Sequence, residues 1–351
     1  MKRSLLAAAL CAALTLTLTL LAGCGGGEAE SSPTPSQPAQ TESVSPDPSP
    51  SGWERTQINF AVLRGPTGVG AAKLLSDNAD GLTENQYNVT IASDPATEIS
   101  PNLINGTLDI AAVSTNLAST LYHRTEGGVQ LLALNTLGVL YILENGDSVR
   151  SVSDLAGRTI YATGQASNPE YVLNHLLRQN GLEPGEDVDI QWRTSYEVTA
   201  LMAAGEIDLC MLPVPAATAV QLQNDQVRAA LDLTQLWDEL DSGSVLTMGC
   251  VVVRTEFAQE NPEAVAAFLE EYAASIDFVS SDPEAAAPMV ARFGITASEE
   301  IALAAIPDCS LVCITGADMR DSIQGYYEVL AAADPASIGG AIPDDAFYYI
   351  P

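Results

Sequence analysis

Basic residues are scarce in this chain: 14 Lys and Arg stand against 45 Asp and Glu, a formal charge of −31 over 351 residues. So acidic a surface does not collect nucleic-acid phosphates, and anionic lipid repels it. Histidine is scarcer still. His123 and His175 are the only two, far apart and in no HExxH setting. No GxSxG elbow occurs, so Ser/His/Asp catalysis lacks its usual frame. Six cysteines are too few for a disulfide scaffold at this length, and there is no CxxC. Cys210 and Cys250 fall in apolar strand-like runs and read as core residues. Cys309 and Cys313 are spaced to pair across a tight loop, which export would permit. No metal site and no cofactor is expected. After Leu21 no apolar run is long enough to span a bilayer.

The chain opens with Lys2 and Arg3, then an apolar run from Leu5 to Leu21, the two parts of a secretory signal. The run closes on Leu21-Ala22-Gly23-Cys24, which resembles the lipobox of bacterial lipoproteins. That resemblance implies cleavage before Cys24, diacylglycerol on its sulfur and, as a rule, an acylated new N-terminus. Several acyl chains anchor firmly where one does not. The alternatives are an ordinary signal with a chance Cys, or an uncleaved helix for which the run is marginal. Gly25 to Ser51 contains no Leu or Ile and a single Val, Val44. Such a stretch of Gly, Ser, Pro, Thr, Gln and Glu cannot bury enough apolar surface to order itself. Residues 1–23 are therefore read as a signal peptide and 24–56 as a lipidated Cys with its tether, the body starting near Gln57.

A body of this size exceeds a single core, so two lobes are expected. A repeat supports this. Gly106-Thr107-Leu108-Asp109-Ile110-Ala111-Ala112-Val113-Ser114 parallels Gly205-Glu206-Ile207-Asp208-Leu209-Cys210-Met211-Leu212-Pro213. In each copy a glycine stops a helix, an apolar strand follows, and another helix comes next. A second pair lies at similar spacing: Ile58–Leu63 before Arg64–Gly68, and Arg158–Ala162 before Thr163–Ser167. Strand–turn–helix units in succession predict parallel strands with helical crossovers. Ligands of such sheets bind at the carboxyl ends of the strands, where all four loops lie. Asn168-Pro169-Glu170 and Asn261-Pro262-Glu263 each open a helix, and Ser195 is placed to cap a third. Gly138–Leu143 and Met248–Val253 read as the strands at which the chain crosses between lobes. Lobe 1 is then 57–148 plus 246–351, and lobe 2 is 149–245.

These residues resemble an extracytoplasmic solute-binding protein of an ABC importer, in the nitrate/sulfonate/taurine and thiamine-precursor branch. Asp154-Leu155-Ala156-Gly157-Arg158-Thr159-Ile160 is similar to the branch's opening of lobe 2, and Tyr171–Gly181 to its next helix. Ala203–Asp208 resembles its second turn, and Asn261-Pro262-Glu263-Ala264-Val265 its helix start. The resemblance implies an α/β protein of the two-lobed type II periplasmic-binding fold, its α/β lobes joined by a two-segment hinge. It implies a small-molecule solute, an ABC permease with its ATPase as partners, and a monomer on the extracytoplasmic face of a bacterial membrane. It implies no enzyme. A ligand-sensing lipoprotein of the same fold is the alternative. A related enzyme branch makes a thiamine pyrimidine with a histidine-rich site, for which two histidines are poor equipment. Where the branch often carries an aromatic, this chain has Leu212-Pro213-Val214-Pro215, so the relatives' ligands do not transfer.

The candidate ligand contacts are the strand-end loops. Arg64-Gly65-Pro66-Thr67-Gly68 combines a cation, two glycines and a helix start near Thr67, a set suited to a carboxylate or sulfonate. Ser114-Thr115-Asn116 and Gly164-Gln165-Ala166-Ser167 offer hydroxyls and amides, which helix capping would equally explain. Pro213 and Val214 end the second repeat, and Asn135-Thr136 follows the strand Leu131–Leu134. Asp77–Gly81 lacks the carboxylates of a calcium loop and reads as a solvated helix end. Glu270-Glu271 and Glu299-Glu300 are expected to face water.

Overall fold

The run Ile58–Leu63 and its counterparts carry almost continuous apolar sequence, the signature of strands covered on both faces. A computed structural model describes residues 55–240 and 243–350. The signal, Cys24 and the tether up to residue 54 lie outside the described residues. The chain runs β1 (Gln57–Leu63), α1 (Pro66–Val69), α2 (Ala72–Ala79), β2 (Gln86–Ala92), α3 (Ser100–Ile104), β3 (Ile110–Ser114), α4 (Thr115–Arg124) and β4 (Val129–Thr136). Next come β5 (Leu140–Asn145), β6 (Thr159–Ala162), α5 (Asn168–Gln179), β7 (Asp189–Trp192), α6 (Ser195–Ala203), β8 (Leu209–Pro213), α7 (Ala216–Gln223), β9 (Val227–Asp232) and α8 (Leu233–Asp238). The last stretch is β10 (Gly249–Arg254), α9 (Thr255–Glu260), α10 (Pro262–Ser281), α11 (Pro283–Arg292), α12 (Glu299–Ala305), β11 (Leu311–Thr315) and α13 (Gly316–Ala333).

The strands form two sheets, and each sheet with its helices is one α/β lobe. The first is ordered β11-β4-β10-β3-β1-β2 and the second β7-β6-β8-β5-β9. Read from β2 and from β7, the two agree strand by strand over five positions. The duplicated segments become β3 and β8, third from the edge in each sheet when read from β2 and β7, each parallel to the strand on that edge side, β1 and β6. Gly106 and Gly205, with φ of 80° and 70°, take the left-handed position that ends the preceding helix. The fourth strand of each sheet is antiparallel and arrives from the other half of the chain: β5 follows β4, and β10 follows α8.

That exchange corrects the expected lobe boundary. β5 pairs in the second sheet, so residues 140–145 belong with the second lobe and not with 57–148, and the chain leaves the first sheet at 137–139, just ahead of β5 and at the start of the Gly138–Leu143 stretch. A buried antiparallel strand has the same composition whichever sheet it completes. The chain returns to the first sheet through 243–248, ahead of β10. Gly138 marks the tight point of the first crossing, since a Cβ there would sit 2.0 Å from Thr234 Oγ1.

Among the described residues three apolar clusters hold the body together. One lies against the first sheet, where Phe60 of β1 packs edge-on against Phe268 and Tyr272 of α10, which stack on each other. A second covers α6 and α7 on the second sheet. The third runs without interruption from Val113 and Leu134 to Leu140, Ile160 and Met211, so it spans both sheets. Thr194, one residue before the expected cap, opens α6 by a capping box with Glu197. Glu271 does not face water: half-buried, it accepts from the Tyr87 hydroxyl and Glu84 N, and burial raises its carboxyl above the usual range. Cys309 and Cys313 are free thiols, as are Cys210 and Cys250. Burial pushes Cys210 and Cys309 up to about 12, so both stay protonated and inert.

Candidate functional site

The carboxyl ends of β1, β2, β6, β7 and β8 surround a cavity of about 690 Å³ between the two lobes. Arg64, Gly65 and Pro66 form its wall after β1, joined by Ser93 after β2. Gly65 has φ of 115°, a conformation open to glycine but strained for other residues. At Gly68 a Cβ would meet Leu63 O at 2.3 Å, so the turn from β1 into α1 closes only with glycine. The opposite wall consists of Thr163 and Gly164 after β6, Thr194–Tyr196 after β7, and Pro213–Ala216 after β8. Ile295, Thr296 and Ala297, between α11 and α12, and Ile301 of α12 are also part of the lining.

Of the residues expected to touch ligand, Arg64, Gly65, Pro66, Gly164, Pro213 and Val214 line this cavity. Thr67 and Gly68 are buried behind it in α1, where Gly68 N donates to Gly65 O. Asn135 and Thr136 do not line it. Asn135 is buried, donating to Tyr272 Oη at 2.9 Å and accepting from Thr136 Oγ1 at 3.1 Å. Ser114, Thr115 and Asn116 are also absent from its lining, because the protein itself occupies their polar atoms. Thr115 Oγ1 donates to Thr247 O at 2.7 Å and accepts from Asn168 Nδ2 at 2.8 Å. The same Asn168 nitrogen donates to Met248 O at 2.9 Å, and Tyr327 Oη donates to Thr115 O. Asn168, the first residue of α5, thus pins the second lobe to the first. Gln165 and Ala166 are exposed, and the N–H groups of Ala166 and Ser167 turn back on Glu170 and Gly164 within their own loop.

Among the described residues Arg64 is the one charged residue in the lining. Its Nη1 donates to Gly294 O at 2.8 Å, and among the described residues it makes no ion pair. Around it are hydroxyls (Ser93, Thr163, Ser195, Thr199, Thr296) and apolar surface (Leu63, Pro169, Val214, Ile295, Ile301). Among the described residues no His, Cys, Asp or Glu belongs to that lining. His123 instead shares a hydrogen bond with Ala341 O, and His175 lies against Trp237 at 5.0 Å, its basicity lowered by burial and by Arg178. Among the described residues no group of three or more His, Cys, Asp or Glu is placed to hold a metal ion. Nor is any helix among them long and apolar enough to cross a membrane. A lining with one cation, several hydroxyls and apolar surface can hold a small polar solute.

A family model described as NMT1/THI5 like matches residues 88–286, more than half of the chain. The chain belongs to the NMT1/THI5-like family. None of the curated proteins matches it. Its fold is shared with solved structures of ABC-importer binding proteins. One from Parabacteroides distasonis, described as an ABC transporter, is 21% identical with a TM-score of 0.68, covering 84% of this chain and 99% of that one. The periplasmic aliphatic sulphonate binding protein SsuA of Escherichia coli is 14% identical, TM-score 0.65, covering 85% and 93%. The alkanesulfonate-binding protein SsuA of Xanthomonas axonopodis pv. citri, bound to MOPS, is 16% identical, TM-score 0.60, covering 82% and 96%. The NMT1/THI5-like match and these neighbours agree with the two-lobed fold expected from the repeat.

Proposed function

We propose that this protein is the lipid-anchored solute-binding component of an ABC importer. It captures a small polar solute between its lobes and hands it to a permease driven by its ATPase, on the extracytoplasmic face of a bacterial membrane. The observation that carries the reading is the lone Arg64 in an otherwise uncharged cavity at the strand ends of both lobes. The solute is neutral or carries one anionic group, held by Arg64 and the surrounding hydroxyls. Backbone N–H groups near Thr67 and Ser167 contribute less than their loops suggest, since those of Gly68, Ala166 and Ser167 are already bonded. Closure works as a two-state equilibrium, the solute favouring the closed form by its extra contacts there. Tethering through Cys24 keeps the protein beside its permease.

A charge-assisted hydrogen bond to Arg64 is worth about 1.5–3 kcal/mol, so Arg64→Ala should weaken an anionic ligand roughly 10- to 100-fold. The test is a thermal-shift panel of size-matched anionic, neutral and cationic solutes on wild type and Arg64→Ala. Stabilisation by cations alone, or anion binding untouched by Arg64→Ala, overturns the ligand assignment.

A further inference from the structure

The segment between α11 and β11 leaves the first lobe and touches the second. Its helix α12 packs against α7. Val214, at the end of β8, is buried in the same apolar cluster as Ala302, Ala305 and Ile306. On its inner side this segment gives the cavity Ile295, Thr296 and Ile301. It is internally ordered: the Thr296 hydroxyl donates to Ser298 O at 3.0 Å, and Ser298 Oγ caps α12 by accepting from Ile301 N. Its start is fixed at two points, where Ile295 packs beside Gly68 and where Gly294 O accepts from Arg64 Nη1 at 2.8 Å.

Arg64 therefore stands between the cavity and this strap. A guanidinium carries five N–H donors in a rigid fork, and one bond to Gly294 O leaves the rest for a second acceptor. We propose that Arg64 is the positioning residue that couples an anion in the cavity to the strap 294–305, so that the strap acts as a third element joining the lobes when the site is filled. This rests on the solute reading above. An anion that fixes the guanidinium also fixes its hold on Gly294, and the strap in turn holds α7. Because coupling free energy is reciprocal, a tightened strap raises anion affinity by the same factor.

Hydrogen exchange followed by mass spectrometry tests this on the soluble mature chain, with pentanoate and pentanesulfonate as probes and pentanol as the uncharged control. Wild type with either anion should exchange roughly tenfold more slowly over 295–305, and pentanol should leave that rate unchanged. Without any probe, Arg64→Gln should exchange faster there than wild type, with β1 and β3 unaffected. Arg64→Lys keeps the charge but not the fork. It should still bind the anions by calorimetry yet lose the protection over 295–305. An anion that binds wild type without protecting the strap, or protection retained in Arg64→Lys, overturns the coupling and leaves the anion site standing. Absence of anion binding to wild type overturns both.

Discussion

Replacing Asn168 by Asp tests how dry and how fixed the junction between the lobes is. The Asn168 side chain has no exposed surface, and its nitrogen donates to Met248 O at 2.9 Å and Thr115 Oγ1 at 2.8 Å. A carboxylate there confronts two acceptors, since the Thr115 hydroxyl directs its hydrogen at Thr247 O. One term favours the variant: a negative charge at the start of α5 gains about 0.3–1 kcal/mol from the helix dipole. Burial without a donor acts the other way, raising the folded carboxyl by about three pH units. With the folded pKa above the unfolded one, the variant's stability is fully present below about pH 4 and is lost as pH rises through the folded pKa. At about 1.4 kcal/mol per unit, roughly 4 kcal/mol is gone by neutral pH, which outweighs the dipole. Asn168→Ala is the control. It removes two hydrogen bonds worth about 1 kcal/mol each, and also removes a buried carbonyl, Oδ1, without a partner, whose burial costs about 1–3 kcal/mol. It should be nearly neutral and add no pH trend. Urea unfolding from about pH 4 to about pH 8 compares the three proteins. If Asn168→Asp follows wild type within about 1 kcal/mol throughout, water reaches the start of α5 and the lobes are not pinned there.

Gly249→Ala should lower the melting temperature by several degrees, because its Cβ would lie 2.5 Å from Thr67 Cγ2 and 2.6 Å from Asn135 Oδ1, an overpacking worth about 1–3 kcal/mol; an unchanged calorimetric transition would contradict the tight approach of β10 to α1. Glu271→Gln bears on pH. Burial raises the Glu271 carboxyl, so its contribution is present below the unfolded pKa and lost as pH rises through the folded value. The variant escapes that loss, its stability relative to wild type should climb from acid to neutral pH, and a flat difference in melting temperature would count against it. Cys24→Ser should move the protein from the membrane to the soluble fraction with its melting curve intact; retention in the membrane fraction would rule out the lipid anchor.

The repeat around Asp109 and Asp208 was legible because glycine, acid and apolar run recur in one order, and the parallel strands they predict are β3 and β8. Loop positions followed from the same pattern, which is why Arg64, Gly164 and Pro213 were found from sequence. The contents of the loops were less readable. Thr115, Asn116, Asn135 and Thr136 have the polar groups of ligand contacts, but whether such groups meet solute or protein depends on partners remote in sequence: Thr247, Asn168 and Tyr272. The strap was missed for the opposite reason. Ile295, Thr296 and Ile301 belong to no strand-end loop and carry no motif, and only the packing of α12 on α7 brings them to the cavity. The partner sheet of β5 was hidden because apolar content reveals burial and not neighbours.

The exchanged strands have a consequence for the order in which the protein can assemble. All five strands of the second sheet come from one unbroken stretch, residues 140–232. The first sheet cannot close early, since β10 lies between β3 and β4 and is synthesised more than a hundred residues after both begin. A chain emerging N-terminus first therefore carries β3 and β4 with unpaired edges while the second lobe is already complete. Open edges invite pairing with other chains. The interval before β10 arrives is the stretch of biogenesis in which this protein most needs a holding chaperone, and truncation ahead of residue 249 should yield one folded lobe trailing an aggregation-prone half.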